Sequence, residues 1–307
     1  MLFTKADPAS HLVSVSLKTL IDLVKPAAGL NLKHLSIRAG QSGGYVSHFK
    51  GRGMEFDEAR LYQPGDDIRS IDWRVTARTG KTHTKVFREE RERPIFISVD
   101  NRLSMHFATR GVFKSVLAAK IAALLAWTAH HHGDRIGGQL FTEHECTEIK
   151  PQNGKHAVLR FLNTLVGGNN YSQQDLASSA YEISMSFEQI LARLVQHTRP
   201  GSLVYVISDF RGINKAAEIH LAKLSKHCEL VLIFIYDPLE THMPSKGSYR
   251  FTDNVRDVIF DTSDKQRLLS YQQHFDERLL HLEQISKKLG QTFIKCCTTD
   301  DPVQCLR

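Results

Sequence analysis

The sequence has few cysteines, and their spacing fits neither a metal site nor a disulfide framework. It contains five cysteines in 307 residues, and no two of them are separated by two residues. Zinc ribbons and thioredoxin-like sites need that spacing, and small disulfide scaffolds need a much higher cysteine density. The sequence therefore predicts neither a cysteine metal site nor a disulfide framework, and we expect a reducing, cytoplasmic compartment.

A long uninterrupted apolar run is also missing. The longest mostly apolar stretch extends from Val116 to Ala129 and is interrupted by Lys120, whereas a membrane-spanning helix needs about 20 apolar residues. The N-terminal residues are too polar for the apolar core of a secretory signal. We therefore expect no transmembrane segment.

The excess of positive charge is small and scattered. The net charge is +7 and the isoelectric point is about 9.1, but Lys and Arg are interleaved with Asp and Glu throughout. Nucleic-acid-binding surfaces concentrate positive charge on one element. The sequence therefore predicts no nucleic-acid partner.

From Pro94 onward, short apolar strands alternate with amphipathic helices. This alternation predicts an α/β fold with a doubly wound, mostly parallel sheet that is covered on both faces. Residues 40–93 hold many charges and little periodicity, and the sequence predicts a smaller, partly β segment at 1–93 before an α/β domain at 94–307. The principal strands are predicted at 94–100, 135–141, 202–209, 229–237 and 292–297, with a short strand at 257–261, and the helices at 13–26, 111–133, 156–166, 187–198, 214–228 and 264–289.

Three of the predicted strands end in an aspartate, namely Asp100, Asp209 and Asp237. Parallel doubly wound sheets bind ligands outside the carboxyl ends of their strands, where the strand order reverses. The three carboxylates are therefore candidates for one shared site.

Four motifs carry a resemblance to a known family. "GRGMEFDEARLYQPGDDIRSIDW" (51–73), "VDNRLSM" (99–105), "VISDF" (206–210) and "YDPLE" (236–240) together resemble the bacterial family labelled domain of unknown function fifty-eight, over roughly residues 35–303. The resemblance implies a von Willebrand factor A-type core. It also implies association with MoxR-type AAA+ ATPases that act on, assemble or activate client proteins. Longer relatives carry two transmembrane helices before the shared region, so this chain is expected to resemble the short soluble branch.

The resemblance also implies a position for a metal-ion-dependent adhesion site. In von Willebrand A domains this site is Asp-x-Ser-x-Ser after the first strand, a Thr from a middle loop, and an Asp after the fourth strand. Asp100, Ser104 and Asp209 match three of these positions, but Arg102 replaces the first serine. The loop "GGNNYSQQDL" (167–176) offers no threonine.

Arg102 changes the chemistry expected of this site. Mg²⁺ and Mn²⁺ prefer oxygen ligands, and a guanidinium about 5 Å away would repel such a dication by about 7 kcal/mol at an effective dielectric of roughly 20. Arg102 could instead pair with Asp100 or Asp209, or point to solvent or to a partner. We therefore expect a degenerate metal site that acts as a recognition pocket, with Arg102, Asn101, Asn169 and Asn170 facing a partner.

The segment at 51–78 mixes charges with aromatic residues. It predicts either ion pairs and turns that fix the segment to the core, or a docking surface for the ATPase or its client. The residues proposed for docking are Arg60, Tyr62, Asp66, Asp67, Arg69, Asp72 and Trp73.

Enzymatic motifs are incomplete. "GQSGG" (40–44) fits the G-x-S-x-G nucleophile pattern at Ser42, but a buried strand and a helix should flank it. "GKT" (80–82) lacks the earlier glycine of a phosphate-binding loop, since Val75 stands there. We therefore expect a non-enzymatic interaction module, with a metal-dependent or serine hydrolase as the alternative.

Overall fold

The computed structural model describes residues 10–30, 46–47, 54–89, 93–169, 185–244, 247–252, 257–262 and 264–307. The chain divides into two compact units, one of Arg38–Glu92 and one of Met1–Ile37 with Arg93–Arg307. The division predicted from the sequence, at residue 93, differs from this one in its assignment of residues 1–37.

The elements are numbered in chain order. The strands are β1 (Val46–Ser47), β2 (Met54–Leu61), β3 (His83–Glu89), β4 (Pro94–Asp100), β5 (Arg135–Phe141), β6 (Cys146–Gln152), β7 (Leu203–Ser208), β8 (Glu229–Tyr236), β9 (Ser248–Thr252), β10 (Asp257–Asp261) and β11 (Thr292–Cys297). The helices are α1 (Ser10–Val13), α2 (Leu17–Asp22), α3 (Val24–Ala27), α4 (Trp73–Thr79), α5 (Lys114–His131), α6 (Lys155–Asn169), α7 (Phe187–His197), α8 (Lys215–His227), α9 (Pro238–Thr241), α10 (Lys265–Leu289) and α11 (Pro302–Cys305).

The larger unit is built on a six-stranded sheet of order β6-β5-β4-β7-β8-β11. All neighbouring strands are parallel except β6, which pairs antiparallel with β5. When only the six strands of this sheet are counted, the order is 3-2-1-4-5-6, and the chain direction along the sheet reverses between β4 and β7. The predicted fold class, a doubly wound and mostly parallel α/β sheet, is confirmed.

The central strands are apolar on both faces because helices cover both sides. In β4, Ile97 belongs to the core on the face of α5, whereas Phe96 belongs to the core on the face of α7. Helix α5 is buried along almost its whole length, with Lys120 among the few exceptions. Its near-continuous apolar sequence therefore reflects a central position in the core.

The first helices pack on α5 and belong to the larger unit. The indole nitrogen of Trp127 donates to the Leu20 carbonyl at 3.0 Å, and the Thr128 hydroxyl lies 3.2 Å from the Ala27 carbonyl. The sequence predicts one helix over 13–26, but the structure has α2 and α3 with a break at Leu23. Pro26 accounts for the break, because it has no N–H to continue the helical ladder.

The smaller unit contains an antiparallel sheet of order β1-β3-β2 and helix α4. In the larger unit, β9 and β10 pair as an antiparallel hairpin, and only β10 was predicted from the sequence. Among the helices of the described residues, none combines the length and the apolar character that crossing a bilayer requires.

Candidate functional site at the sheet switch point

Two of the predicted aspartates meet where the strand order reverses. Asp100 is the last residue of β4, and Asp209 follows directly after β7, the neighbouring parallel strand. Both side chains are fully buried. The structure therefore brings these carboxylates together at the position expected for a ligand site in this fold.

The carboxylate of Asp100 is held by Arg102 and Ser208. The Arg102 side chain donates through Nε at 3.0 Å and Nη2 at 2.7 Å, and its backbone N–H donates at 2.9 Å. The Ser208 hydroxyl donates to Oδ2 at 2.5 Å. Two-pronged donation to both oxygens is the geometry for which a guanidinium fork is suited.

Aromatic rings fix the guanidinium of Arg102 in this inward position. Its Cζ lies 5.0 Å from the centre of the Phe187 ring and 5.7 Å from that of Phe141. Only 12% of the side chain is exposed. Cation–π attraction grows as the cation loses water, so these contacts reinforce the pairing with Asp100.

Asp209 is paired with a second buried cation, Lys114. The Nζ atom of Lys114 lies 2.9 Å from Oδ2 of Asp209 and 3.3 Å from Oε1 of Glu240. Lys114 is the first residue of α5, and its side chain has no exposed area. Two further guanidinium contacts are longer, with Arg211 Nε at 3.4 Å and Arg102 Nη2 at 3.8 Å.

Ion pairs join seven side chains into one network. Arg211 Nη2 donates to Glu240 Oε1 at 2.6 Å, and Arg278 Nη2 lies 3.9 Å from the same oxygen. Four cations face three carboxylates, so this network among the described residues carries one excess positive charge. Its members are Asp100, Arg102, Lys114, Asp209, Arg211, Glu240 and Arg278.

The two aspartates differ in their acidity. Burial opposes ionisation of Asp209, but the adjacent Lys114 ammonium and Arg211 outweigh it and hold the pKa of Asp209 at about 2. Burial raises the pKa of Asp100 against the opposing effects of Arg102 and Ser208. The lysine thus makes Asp209 the more firmly ionised of the pair.

The third predicted aspartate, Asp237, has a different role. It accepts from the Thr109 hydroxyl at 2.6 Å, the Thr298 hydroxyl at 2.9 Å and the Leu239 backbone N–H at 2.9 Å. It also forms a reciprocal capping box with Glu240 at the start of α9. Asp237 therefore joins three loops and helps to orient Glu240 toward the network.

The backbone beside Asp209 has an unusual conformation. Phe210 adopts a φ of +52° although it is not a glycine. Its N–H donates at 2.8 Å to the hydroxyl of Ser208, the same hydroxyl that donates to Asp100. The Phe210 ring is fully buried and packs edge-on against Phe187. These contacts stabilise a left-handed backbone conformation that costs a non-glycine residue of order 1–3 kcal/mol.

The remaining residues predicted for the pocket have separate positions. Ser104 lies in a short 3-10 helix, and among the described contacts no hydrogen bond joins it to Asp100 or Asp209. The Asn101 amide is buried and donates to the Gly168 carbonyl at 2.5 Å. Asn169 is the last residue of α6, its side chain is outside the described set, and Asn170 lies outside the described residues.

The residues present do not fit a divalent metal shared by the two aspartates. Arg102 and Lys114 donate to the carboxylate oxygens that would have to ligate the ion. A cation about 5 Å from a dication repels it by about 7 kcal/mol at an effective dielectric of roughly 20, and here two cations would do so. Within the described ranges, no cluster of three or more His, Cys, Asp or Glu side chains has a metal-binding arrangement.

In the smaller unit, four of the predicted docking residues stabilise local structure. Asp66 pairs with Arg60 at 2.6 Å, and Asp67 and Asp72 cap the short helical segments that follow them. Trp73 is 68% exposed. Tyr62 is half-buried and Arg69 is exposed. Trp73 is thus a large apolar side chain of this set that is exposed for contact.

Sequence reasoning did not identify Lys114, Ser208, Arg211, Glu240 or Arg278 as site residues. Two signals were present, since a lysine opens an otherwise buried helix and the motifs "VISDF" and "YDPLE" contain Ser208 and Glu240. The alternative nucleophile, Ser42, lies outside the described residues.

The model of the family described as "Protein of unknown function DUF58" matches residues 58–278. The chain belongs to the DUF58 family. Uncharacterized proteins Rv1480 of Mycobacterium tuberculosis (strain ATCC 25618 / H37Rv) and Mb1516 of Mycobacterium bovis are each 29% identical to this DUF58 chain, over 86% of it and 81% of their own length.

The solved structures that align with this chain do so at lower sequence identity. An aerotolerance-related membrane protein from Bacteroides fragilis aligns with a TM-score of 0.45 at 14% identity, over 70% of the DUF58 chain and 94% of its own. The conserved hypothetical protein BatB from Bacteroides thetaiotaomicron gives 0.42 at 12% identity, over 67% and 90%. A von Willebrand factor type A protein from Catenulispora acidiphila gives 0.33 at 12% identity, over 50% and 34%.

Proposed function

We propose that this DUF58 protein is a non-enzymatic protein-interaction module with a degenerate metal-ion-dependent adhesion site. The observation that carries the proposal is the pairing of Arg102 with Asp100 and of Lys114 with Asp209. Fixed side-chain cations stand where a bound cation would have to contact these carboxylates. The site needs no metal or cofactor to neutralise its buried acids.

A network of this kind suits recognition better than catalysis. Asp100 and Asp209 are saturated by donors and are shielded from solvent, so neither is available as a general base. General bases must reach the proton that they remove. The network instead holds Arg211, half of whose side chain is exposed, in a fixed position at the end of the sheet.

The partner that we propose is a MoxR-type AAA+ ATPase or its client in the cytoplasm, with the DUF58 protein acting as adaptor during client maturation or assembly. Membership of the family supports this partner through the association that the family resemblance implies. The exposed Trp73 and Arg69 of the smaller unit are the proposed docking contacts for it.

Co-purification tests this proposal. A tagged DUF58 protein is recovered from its own cells with and without Mg²⁺ and probed for a MoxR-type ATPase. We expect association that the tagged protein retains without Mg²⁺, and a weaker association for Trp73→Ala than for the control Ile259→Ala, which changes an exposed apolar residue of the larger unit. Absence of the ATPase in both conditions, together with turnover of a generic ester or phosphoester, would contradict the proposal.

A further inference from the structure

An open groove lies beside the ion-pair network, between the loop at 210–213 and one face of α10. Its volume is about 520 Å³, and the α10 residues that line it are His274, Glu277, Arg278 and His281. The loop contributes Phe210 and Ile213 as apolar lining and Arg211 as a charged one. All of these residues belong to the larger unit.

Arg278 is the cation of this groove whose hydrogen-bonding capacity is least used. Its closest described carboxylate oxygen is Glu240 Oε1 at 3.9 Å, beyond hydrogen-bonding distance. Its Nε atom is buried and has no hydrogen-bond partner among the described residues. A buried donor without a partner costs free energy, so the described contacts leave the guanidinium of Arg278 incompletely satisfied.

Glu240 cannot satisfy Arg278 because its own acceptor sites are occupied. Oε1 accepts from Arg211 at 2.6 Å and from Lys114 at 3.3 Å. Oε2 accepts from the Asp237 backbone N–H at 3.0 Å and from Lys114 at 3.4 Å. An ionised carboxylate offers about four such sites, so the positive charge of Arg278 is left for another acceptor.

The rest of the environment fixes Arg278 in place. Its Cζ lies 5.8 Å from the centre of the Phe234 ring and 5.7 Å from that of Phe275. A guanidinium held against aromatic rings loses little conformational entropy when it binds a planar acceptor. Burial, together with the neighbouring Arg211, lowers the pKa of Arg278, as expected where positive charge is undercompensated.

We propose that this groove binds a carboxylate from an acidic peptide segment of a partner protein, with Arg278 as the central contact and Arg211 beside it. The complementarity comes from Arg278, which has no described carboxylate oxygen within hydrogen-bonding distance, and from the half-exposed Arg211. The open form of the groove and its apolar lining suit an extended chain. The inference rests on the proposed function, because it names the chemistry that the interaction module recognises.

Fluorescence anisotropy with a dye-labelled oligoglutamate peptide tests the proposal on the full chain. We expect binding that weakens with added salt and is absent for the length-matched peptide with Gln in place of Glu. Arg278→Gln should weaken binding about tenfold or more, since a charge-assisted hydrogen bond is lost. The control Arg267→Gln changes an exposed arginine of the same helix that pairs with Asp264, and should leave binding within about twofold.

A second variant is expected to bind the peptide more tightly, a result that a folding defect cannot produce. Glu277→Gln removes the carboxylate that lines the groove, and binding should tighten about threefold, as Coulomb repulsion over about 6 Å in water predicts. Asp276→Asn, its exposed neighbour outside the groove lining, should have a smaller effect.

Equal peptide affinity for Arg278→Gln and Arg267→Gln would overturn the groove assignment. Arg278-dependent binding of inorganic phosphate without peptide binding would overturn the peptide assignment. Neither result would affect the co-purification experiment, so failure of the groove is distinguishable from failure of the proposed adaptor role.

Discussion

Replacing Lys114 by methionine tests whether the buried network is held together by its internal cation. Methionine has a similar length and keeps the apolar stem, but removes the ammonium that lies 2.9 Å from Asp209 and 3.3 Å from Glu240. The side chain of Lys114 is completely buried, so water cannot replace its contacts without a rearrangement of the core.

Two considerations set the expected decrease in the free energy of unfolding for Lys114→Met. Removing one partner of a buried ion pair typically costs about 3–5 kcal/mol. Independently, the pKa of Asp209 lies at about 2 rather than at its ordinary 3.8, which corresponds to about 2 kcal/mol of stabilisation that Lys114 and Arg211 supply beyond the cost of burial. We therefore expect Lys114→Met to lower the free energy of unfolding by about 3 kcal/mol at neutral pH.

The pH dependence provides a second signature. In the natural protein, the lowered pKa of Asp209 contributes stability that is present above the unfolded pKa of about 4 and is lost as the pH falls toward about 2. In Lys114→Met, Asp209 stays buried but lacks its ammonium partner, so its pKa should rise above that of the unfolded chain. The deficit of the variant should therefore shrink as the pH falls from about 7 toward about 4.

Urea unfolding followed by circular dichroism, repeated across this pH range, measures both effects. The matched control is Lys120→Met, which removes another lysine of α5 whose pKa is lowered by partial burial and which has no hydrogen bond to a carboxylate among the described contacts. A loss below about 1 kcal/mol for Lys114→Met, or a deficit that stays constant with pH, would refute the reasoning.

Three further predictions concern the absence of a bound metal, the Ser208 hydroxyl and the backbone at Gly111. Millimolar Mg²⁺ should leave the Tm of both the natural protein and Arg102→Ser unchanged, because Lys114 still pairs with Asp209 in each. A clear rise in the Tm of either protein would show that the site binds metal. Ser208→Ala should cost about 1–3 kcal/mol in urea unfolding, since Asp100 loses a buried donor, and an unaltered midpoint would contradict this. Gly111→Ala should lower the Tm far more than Gly133→Ala. Both glycines have a positive φ, but only at Gly111 would the new Cβ lie 2.1 Å from a backbone oxygen, that of Thr298. Equal decreases in Tm would argue against that close approach.

Local sequence patterns predicted much of the α/β domain. Strands β5 and β11 have the predicted bounds, and helices α7 and α10 begin and end within one residue of theirs. Apolar runs and helical periodicity depend on residues that are close in the sequence, so they indicate strands and helices without knowledge of the tertiary contacts. The missed β9 shows the limit, since "SYRFT" has little apolar character and acquires its structure by pairing with β10.

The location of the candidate site was also accessible from the sequence, because strand-end aspartates in a doubly wound sheet converge at its switch point. Asp100 and Asp209 do lie together there. Arg102, which replaces the first serine of the metal-site pattern, pairs with Asp100. Ser104 lies in the 3-10 helix after Arg102, and no described hydrogen bond joins it to either aspartate.

The sequence by itself determined the strands, the main helices and which residues stand at the strand ends. Only the tertiary structure decided which cation neutralises which carboxylate. Lys114 is separated from Asp209 by 95 positions and from Glu240 by 126, and Ser208 is separated from Asp100 by 108. No periodicity encodes such contacts, because they depend on the order in which the strands assemble and on the burial that then forces each charge to find a partner.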